Sequence, residues 1–120
     1  MVSAWLFMNE RSNKLLVDAV AAIDAVNSFV GDSDFGAYST NHLLRSAVER
    51  QLEILGEVCS QLDKLDVGWR EKITDLRLAV GLRNRIIHGY DSVDEEMVFE
   101  TIHRDLPGLR SNFIEYLPMA

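Results

Sequence analysis

Apolar residues recur at three- and four-residue intervals through most of the chain, and no segment sustains the alternation of a half-buried strand. From about Ser12 to Val30, the residues Leu16, Ala19, Val20, Ile23, Val26 and Val30 fall on one side of a helix that Gly31 ends. Asp32-Ser33-Asp34-Phe35-Gly36 predicts a loop, after which Ser39 or Asn41, both suitable N-caps, opens a second helix. That helix carries Leu44, Ala47, Val48, Leu52, Leu55, Val58, Cys59, Leu62 and Leu65. At roughly 24 residues it is long for a globular domain, which predicts the spine of a bundle or of a dimer. Gly68 separates it from a third helix extending to about His88, with Leu76, Val80, Ile86 and Ile87 on its apolar side and Gly89 as a left-handed stop. Ser92-Val93-Asp94-Glu95 reads as a capping box for a fourth helix with Val98 and Ile102 inward. Pro107 fits the first turn of a final helix bearing Leu109, Phe113 and Leu117. The pattern predicts an all-α, up-and-down bundle of four or five helices.

A chain of 120 residues suits one domain. Residues 11–120 read as a single helical domain, and residues 1–10 as an N-terminal extension whose structure the pattern leaves open. The apolar run Val2–Met8 is too short to span a bilayer and has neither a basic leader nor a cleavage site, so a cytoplasmic protein without a membrane anchor is expected. The single Cys59 has no partner in the chain and sits among Leu55, Val58 and Leu62, as a small buried apolar residue does. The net charge of −7 argues against a generic nucleic-acid binder. Charge is distributed unevenly, however. Residues 69–90 hold five cations against two acids, a net of +3, whereas residues 91–105 hold six acids against one arginine, a net of −5. An anionic ligand would be held at one place.

The candidate chemistry lies in Arg83-Asn84-Arg85-Ile86-Ile87-His88-Gly89-Tyr90, at the expected end of the third helix. Asn84 and His88, four apart, share a face. Arg83 and His88, five apart, diverge by about 140°, although the long arginine arm can swing toward the ring. The helix dipole at this end favours the imidazolium, the form a general acid needs. The plainer alternative is that Arg83 pairs with a carboxylate such as Glu57 while His88 caps the last carbonyls. Glu57 is then either a group that orients Arg83 or a solvated residue, and Arg85 either adds phosphate contacts or is a surface arginine. Glu100 and His103 have the Glu-x-x-His spacing of a di-iron bundle but lack a second such pair, so both read as solvated, as does His42. Trp5 and Trp69 read as packing residues, and Asp94-Glu95-Glu96 as the acidic first turn of a helix. No metal site and no cofactor are expected.

The string Arg-Asn-x-x-x-His-Gly-Tyr resembles the signature of HEPN-domain ribonuclease toxins, in particular the HepT-like branch found in HepT/MntA toxin–antitoxin pairs. The resemblance extends over Ala47–Glu57, over Asp91–Asp94 with Val98-Phe99, and over Asp105–Leu109, so that about Arg11 to Leu117 is covered. It implies a metal-independent endoribonuclease toxin of a type VII-like module, acting as a homodimer whose two protomers line one cleft. Carried over by position, Arg83 would bind the scissile phosphate. His88 would serve as general acid or base in attack by the ribose 2′-hydroxyl, and Asn84 would orient one of them. Tyr90 matches the tyrosine to which an MntA-like nucleotidyltransferase antitoxin attaches AMP. The implied partners are therefore RNA, a second copy of the chain and that antitoxin, in a dimer or a larger hetero-oligomer. Two rivals remain open: a catalytically inactive HEPN bundle that docks on a nucleotidyltransferase or binds nucleotide, and a plain helical scaffold.

Overall fold

The computed structural model describes the backbone of residues 2–89 and 92–117 and the side chains of residues 10–89 and 92–117. Its helices are α1 (Val2–Val30), α2 (Phe35–Ser39), α3 (His42–Leu65), α4 (Trp69–Lys72), α5 (Leu76–His88), α6 (Glu95–Arg104) and α7 (Leu106–Glu115). There is no strand among the described residues. α1 lies along α3 and α3 along α5, while α7 closes against α1 and α6, and α2 packs on α3 and α6. The five long helices form the expected all-α bundle, and α2 and α4 add single turns. No described helix is long and apolar enough to cross a membrane.

The periodic apolar positions meet in one core. Leu16, Ala19, Ile23 and Val26 of α1 face Leu52, Leu55, Cys59 and Leu62 of α3, and Leu76, Ala79, Leu82, Val98, Leu109 and Phe113 complete it. Each fully buried leucine or phenylalanine contributes about 1.5–3 kcal/mol relative to exposure. Across the surface, Arg110 of α7 holds Asp24 of α1 at 2.6 Å. Gly31, with φ +51°, ends α1 in the left-handed conformation that suits glycine.

Several boundaries differ from the expected ones. α1 begins ten residues before Ser12, because no proline or glycine between Met1 and Ser12 interrupts it. The expected loop after Gly31 contains α2, which Asp34 caps by accepting from the Ala37 N–H at 2.8 Å. Ser39 ends α2, so α3 is opened by Asn41, whose side chain accepts from the Leu44 N–H at 3.0 Å. The expected third helix is two, α4 and α5, with Ile73 extended between them at φ −123°, ψ 96°. Trp69 of α4 packs edge-on against Tyr116, while α5 packs along α3. The bend falls at the β-branched pair Ile73-Thr74, where helix propensity is low.

At the end of α5, Gly89 is not left-handed: its φ is −102°. Glycine is required there by a close approach instead, since a Cβ would lie 2.7 Å from the Arg85 carbonyl oxygen. The cap of α6 is Asp94, which accepts from the Met97 N–H at 3.0 Å. The capping box on Ser92 does not form, because Glu95 turns toward Arg45 at 3.6 Å and the Ser92 N–H donates to the Gly89 carbonyl.

Candidate active site

Arg83 is positioned by a glycine. α5 crosses α3 so closely at Gly56 that a Cβ there would lie 2.2 Å from Arg83 Cβ and 2.9 Å from both Arg83 Cδ and the Ala79 carbonyl oxygen. The aliphatic stem of Arg83 fills that notch, and its guanidinium emerges at the surface. Nη2 stands 3.3 Å from Glu57 Oε2, and Nη1 donates to Asn84 Oδ1 at 3.3 Å. Glu57 is itself oriented, accepting from Gln61 Nε2 at 3.2 Å, and Gln61 Oε1 accepts from Arg11 at 2.5 Å. The Glu57 side chain is 50% exposed, so the ion pair is of the surface kind, worth at most about 1 kcal/mol. Arg83 is thus aimed, yet an incoming phosphate can replace Glu57. Beside it opens a cavity of about 280 Å³, walled by Ile54, Val58 and Ile87 and rimmed by Arg50 and Glu53.

The other candidate residues divide between that cavity and elsewhere. Asn84 is exposed and touches Arg83, one residue away. His88 is the exposed last residue of α5. It does not line the Arg83 cavity. Residues five apart on a helix diverge by about 140°, so the two side chains leave α5 in different directions. Arg85 lies on the opposite flank of α5, where it lines a separate cavity with Arg77 and Arg104. Tyr90 falls outside the described residues.

Gly56 carries no chemistry, and helical periodicity alone assigns it no role. Its signal was nonetheless present, because glycine inside a long helix costs about 1 kcal/mol relative to alanine and so calls for a packing reason. A second feature not evident from the sequence is a polar cluster of Tyr38, Arg45, Glu49 and Glu95. Arg45 spans it, bonding the Ser39 carbonyl and lying 3.3 Å from His42 Nδ1 and 3.6 Å from Glu95. Among the described residues, the Tyr38 hydroxyl and Glu95 Oε2 are buried with no hydrogen-bond partner. Burial, then the charges of Glu95 and Glu49, holds the Tyr38 hydroxyl far above the ordinary phenol range. Burial, followed by the neighbouring Glu95, pushes Glu49 up to about 7, against the partial relief of Arg45. Above this cluster lies a cavity of about 640 Å³ that shares Glu53 and Ile87 with the Arg83 cavity.

Glu49 carries a pH signature. The unfolded chain releases this proton near 4.5, while the folded chain keeps it until about 7. The folded state therefore holds the extra proton across that window, and the stability it confers is full below the lower value and lost as pH rises through the upper one. Glu49→Gln is expected to gain melting temperature over the wild type progressively from pH 5 to pH 8, by roughly 3–6 °C. Melting curves of both proteins across that range check it, and a difference independent of pH would refute it.

Two residues set aside on sequence grounds are occupied structurally. Burial pushes the Cys59 thiol up to about 12, so it holds no thiolate near neutral pH. The His103 ring lies against Phe99 at 4.4 Å, with Nδ1 2.9 Å from the Phe99 carbonyl oxygen. Among the described residues, no three His, Cys, Asp or Glu side chains are grouped as metal ligands would be.

The all-α bundle, in which α3 seats Arg83 of α5 five residues before the helix-terminal His88, is consistent with a HEPN-like protein. The sequence profile of the family described as Ribonuclease HepT-like matches residues 20–117, which include every described site residue above except Arg11. The chain belongs to this HepT-like ribonuclease family. A Thermococcus cleftensis protein named probable ribonuclease HepT is 28% identical over 111 residues, spanning 87% of this chain and 94% of that one. A Methanocaldococcus jannaschii protein provisionally named an RNase is 31% identical over 106 residues, spanning 86% and 94%. A second from the same organism, also provisionally named an RNase, is 29% identical over 98 residues, spanning 82% and 84%. No solved structure matches the chain at a significant level.

Proposed function

We propose that this protein is a metal-independent endoribonuclease, the toxin of a toxin–antitoxin module, with its site completed by dimerisation. The observation that carries this reading is the seating of Arg83: a buried notch at Gly56 holds its stem, and Glu57 and Asn84 hold its head at the surface, in a chain of a ribonuclease family. A guanidinium so aimed grips a phosphodiester through two oxygens. It also stabilises the charge that develops when the neighbouring ribose 2′-hydroxyl attacks.

An imidazole at this helix end takes the 2′-hydroxyl proton, or gives a proton to the departing 5′-oxygen. The new O2′–P bond replaces the broken P–O5′ bond, leaving a 2′,3′-cyclic phosphate and a free 5′-hydroxyl. His88 is not among the residues lining the Arg83 cavity, which supports a site in which a second protomer brings its α5 tip to the same phosphate. Asn84 keeps Arg83 in register.

A nucleotidyltransferase antitoxin that adds AMP to Tyr90 would silence the site, since the added phosphate competes for Arg83. The test is incubation of purified wild type and His88→Ala with RNA in EDTA, together with induction of both in bacteria. EDTA-resistant products ending in cyclic phosphate, and growth arrest, are expected of the wild type alone. Equal behaviour of the two would favour a docking bundle without catalysis. Tyr90→Phe is expected to stay toxic and escape the antitoxin.

A further inference from the structure

On the flank of α5 away from Glu57, a cavity of about 340 Å³ opens between α5 and α6. Arg77, Arg85 and Arg104 line it, and no carboxylate does. This is unusual company in a chain of net charge −7. The rest of its wall is Leu78, Gly81, Leu82, Met97 and Thr101. Three guanidinium groups around one cavity can together hold an anion, although Asp105 and Glu100 lie near Arg104 and Asp63 near Arg77.

Only Arg104 of the three makes an ion pair among those described, with Asp105 at 3.1 Å, and its side chain is 65% exposed. Such a pair yields readily to a stronger acceptor. The floor is permissive as well: a Cβ at Gly81 would meet nothing within 4 Å, so the cavity has room for a tetrahedral group. The hydroxyl of the buried Thr101 is occupied by the Met97 carbonyl at 2.8 Å, which leaves recognition to the arginines.

We propose that this cavity binds a backbone phosphate of single-stranded RNA, at a position outside the scissile bond. The inference rests on the ribonuclease reading above. The placement favours a nucleic-acid strand over a free anion. Arg83 lies on one flank of α5, His88 at its tip and the arginine cavity on the other flank. A helix is about 10–12 Å across with its side chains, a width that roughly two extended nucleotides can cover. A strand that crosses the tip at His88 therefore reaches both flanks. It is gripped by Arg83 at the reacting phosphate and by Arg77, Arg85 and Arg104 farther along. The cavity extends the footprint of the substrate and contributes affinity without base preference, since phosphate contacts carry no sequence.

The experiment measures binding of fluorescent 12-nucleotide RNA to His88→Ala protein, which cannot degrade it on the reading above, by anisotropy from 50 to 300 mM KCl. The same protein is then examined with Arg77→Gln, Arg85→Gln and Arg104→Gln, singly and together. Each phosphate contact on a single strand contributes about 0.7 to the slope of log affinity against log salt. The triple substitution is expected to weaken binding at 100 mM KCl at least tenfold and to lower that slope by about 1–2. A dinucleotide, too short to reach the cavity, is expected to bind the triple variant as it binds the parent. All three arginines lie at the surface, so melting temperature should be unchanged within a few degrees. Equal affinity and slope for parent and triple variant on the 12-mer would overturn the site while leaving the ribonuclease reading intact. Failure of the parent to bind RNA at all would overturn both.

Discussion

Replacing Arg83 by alanine is expected to lower RNA cleavage by about 10²–10³-fold, the loss typical when one preorganised donor to a developing oxyanion is removed. The reason is specific to how the residue is held. Its Cβ and Cδ lie where a side chain at Gly56 would otherwise be, so the stem has little freedom to lose when a phosphate binds. Its head already stands in fork geometry, with one nitrogen on Glu57 and another on Asn84. Alanine keeps the Cβ and hence most of the helix contact, so folding should be nearly unaffected. Arg83→Lys separates charge from geometry: it retains a cation but loses the planar fork, and should recover only part of the rate. Initial rates on a defined RNA, taken alongside melting curves, decide the matter. If Arg83→Ala cleaved within threefold of the wild type, the phosphate-binding role would be untenable.

The second large effect is on stability. Gly56→Ala forces a methyl group to within 2.2 Å of Arg83 Cβ and 2.9 Å of a backbone oxygen. Neither neighbour can step aside as the end of a flexible side chain would. The crossing of α3 and α5 must open, which loosens the contacts of Leu55, Cys59, Ala79 and Leu82 around it. Overpacking of this kind costs about 1–3 kcal/mol. For a domain of this size that corresponds to a fall in melting temperature on the order of 10 °C, and cleavage should fall with it as Arg83 loses its seat. Gly81→Ala is the control. It sits in the neighbouring helix α5 with open space where its Cβ would go, and should stabilise the protein by up to about 1 kcal/mol. If Gly56→Ala melted as the wild type does, the close crossing would be refuted.

Much of the helix pattern was legible because it follows from local chemistry. The 3.6-residue spacing of Leu52, Leu55, Cys59 and Leu62 specifies a buried stripe, Ser39 or Asn41 a start, of which Asn41 is the cap, and Gly31 a helix end. Prediction failed where two local signals of similar strength competed. Ser92 and Asp94 are both good caps, and the choice between them was made by Arg45, distant in sequence, drawing Glu95 away from the box. Trp69 to His88 reads as one helix because nothing in the string itself shows that Trp69 must reach Tyr116. Gly89 was correctly a helix end, but for a different reason, steric closeness to Arg85 rather than handedness.

For the candidate site, the residue types were legible and their companionship was not. By itself the sequence determined an all-α chain, a local excess of positive charge, and an arginine and a histidine at one helix end, since each depends on neighbours within a few residues. Tertiary structure alone decided that Gly56 would seat Arg83, that Glu57 and Asn84 would hold its head, and that Arg85 would leave this set for Arg77 and Arg104 across the helix. It alone gathered Tyr38, Glu49 and Glu95 from α2, α3 and α6. The difference is physical. Periodicity fixes the angle at which a side chain leaves its own helix, whereas the groups it meets depend on how closely and at what angle another helix crosses.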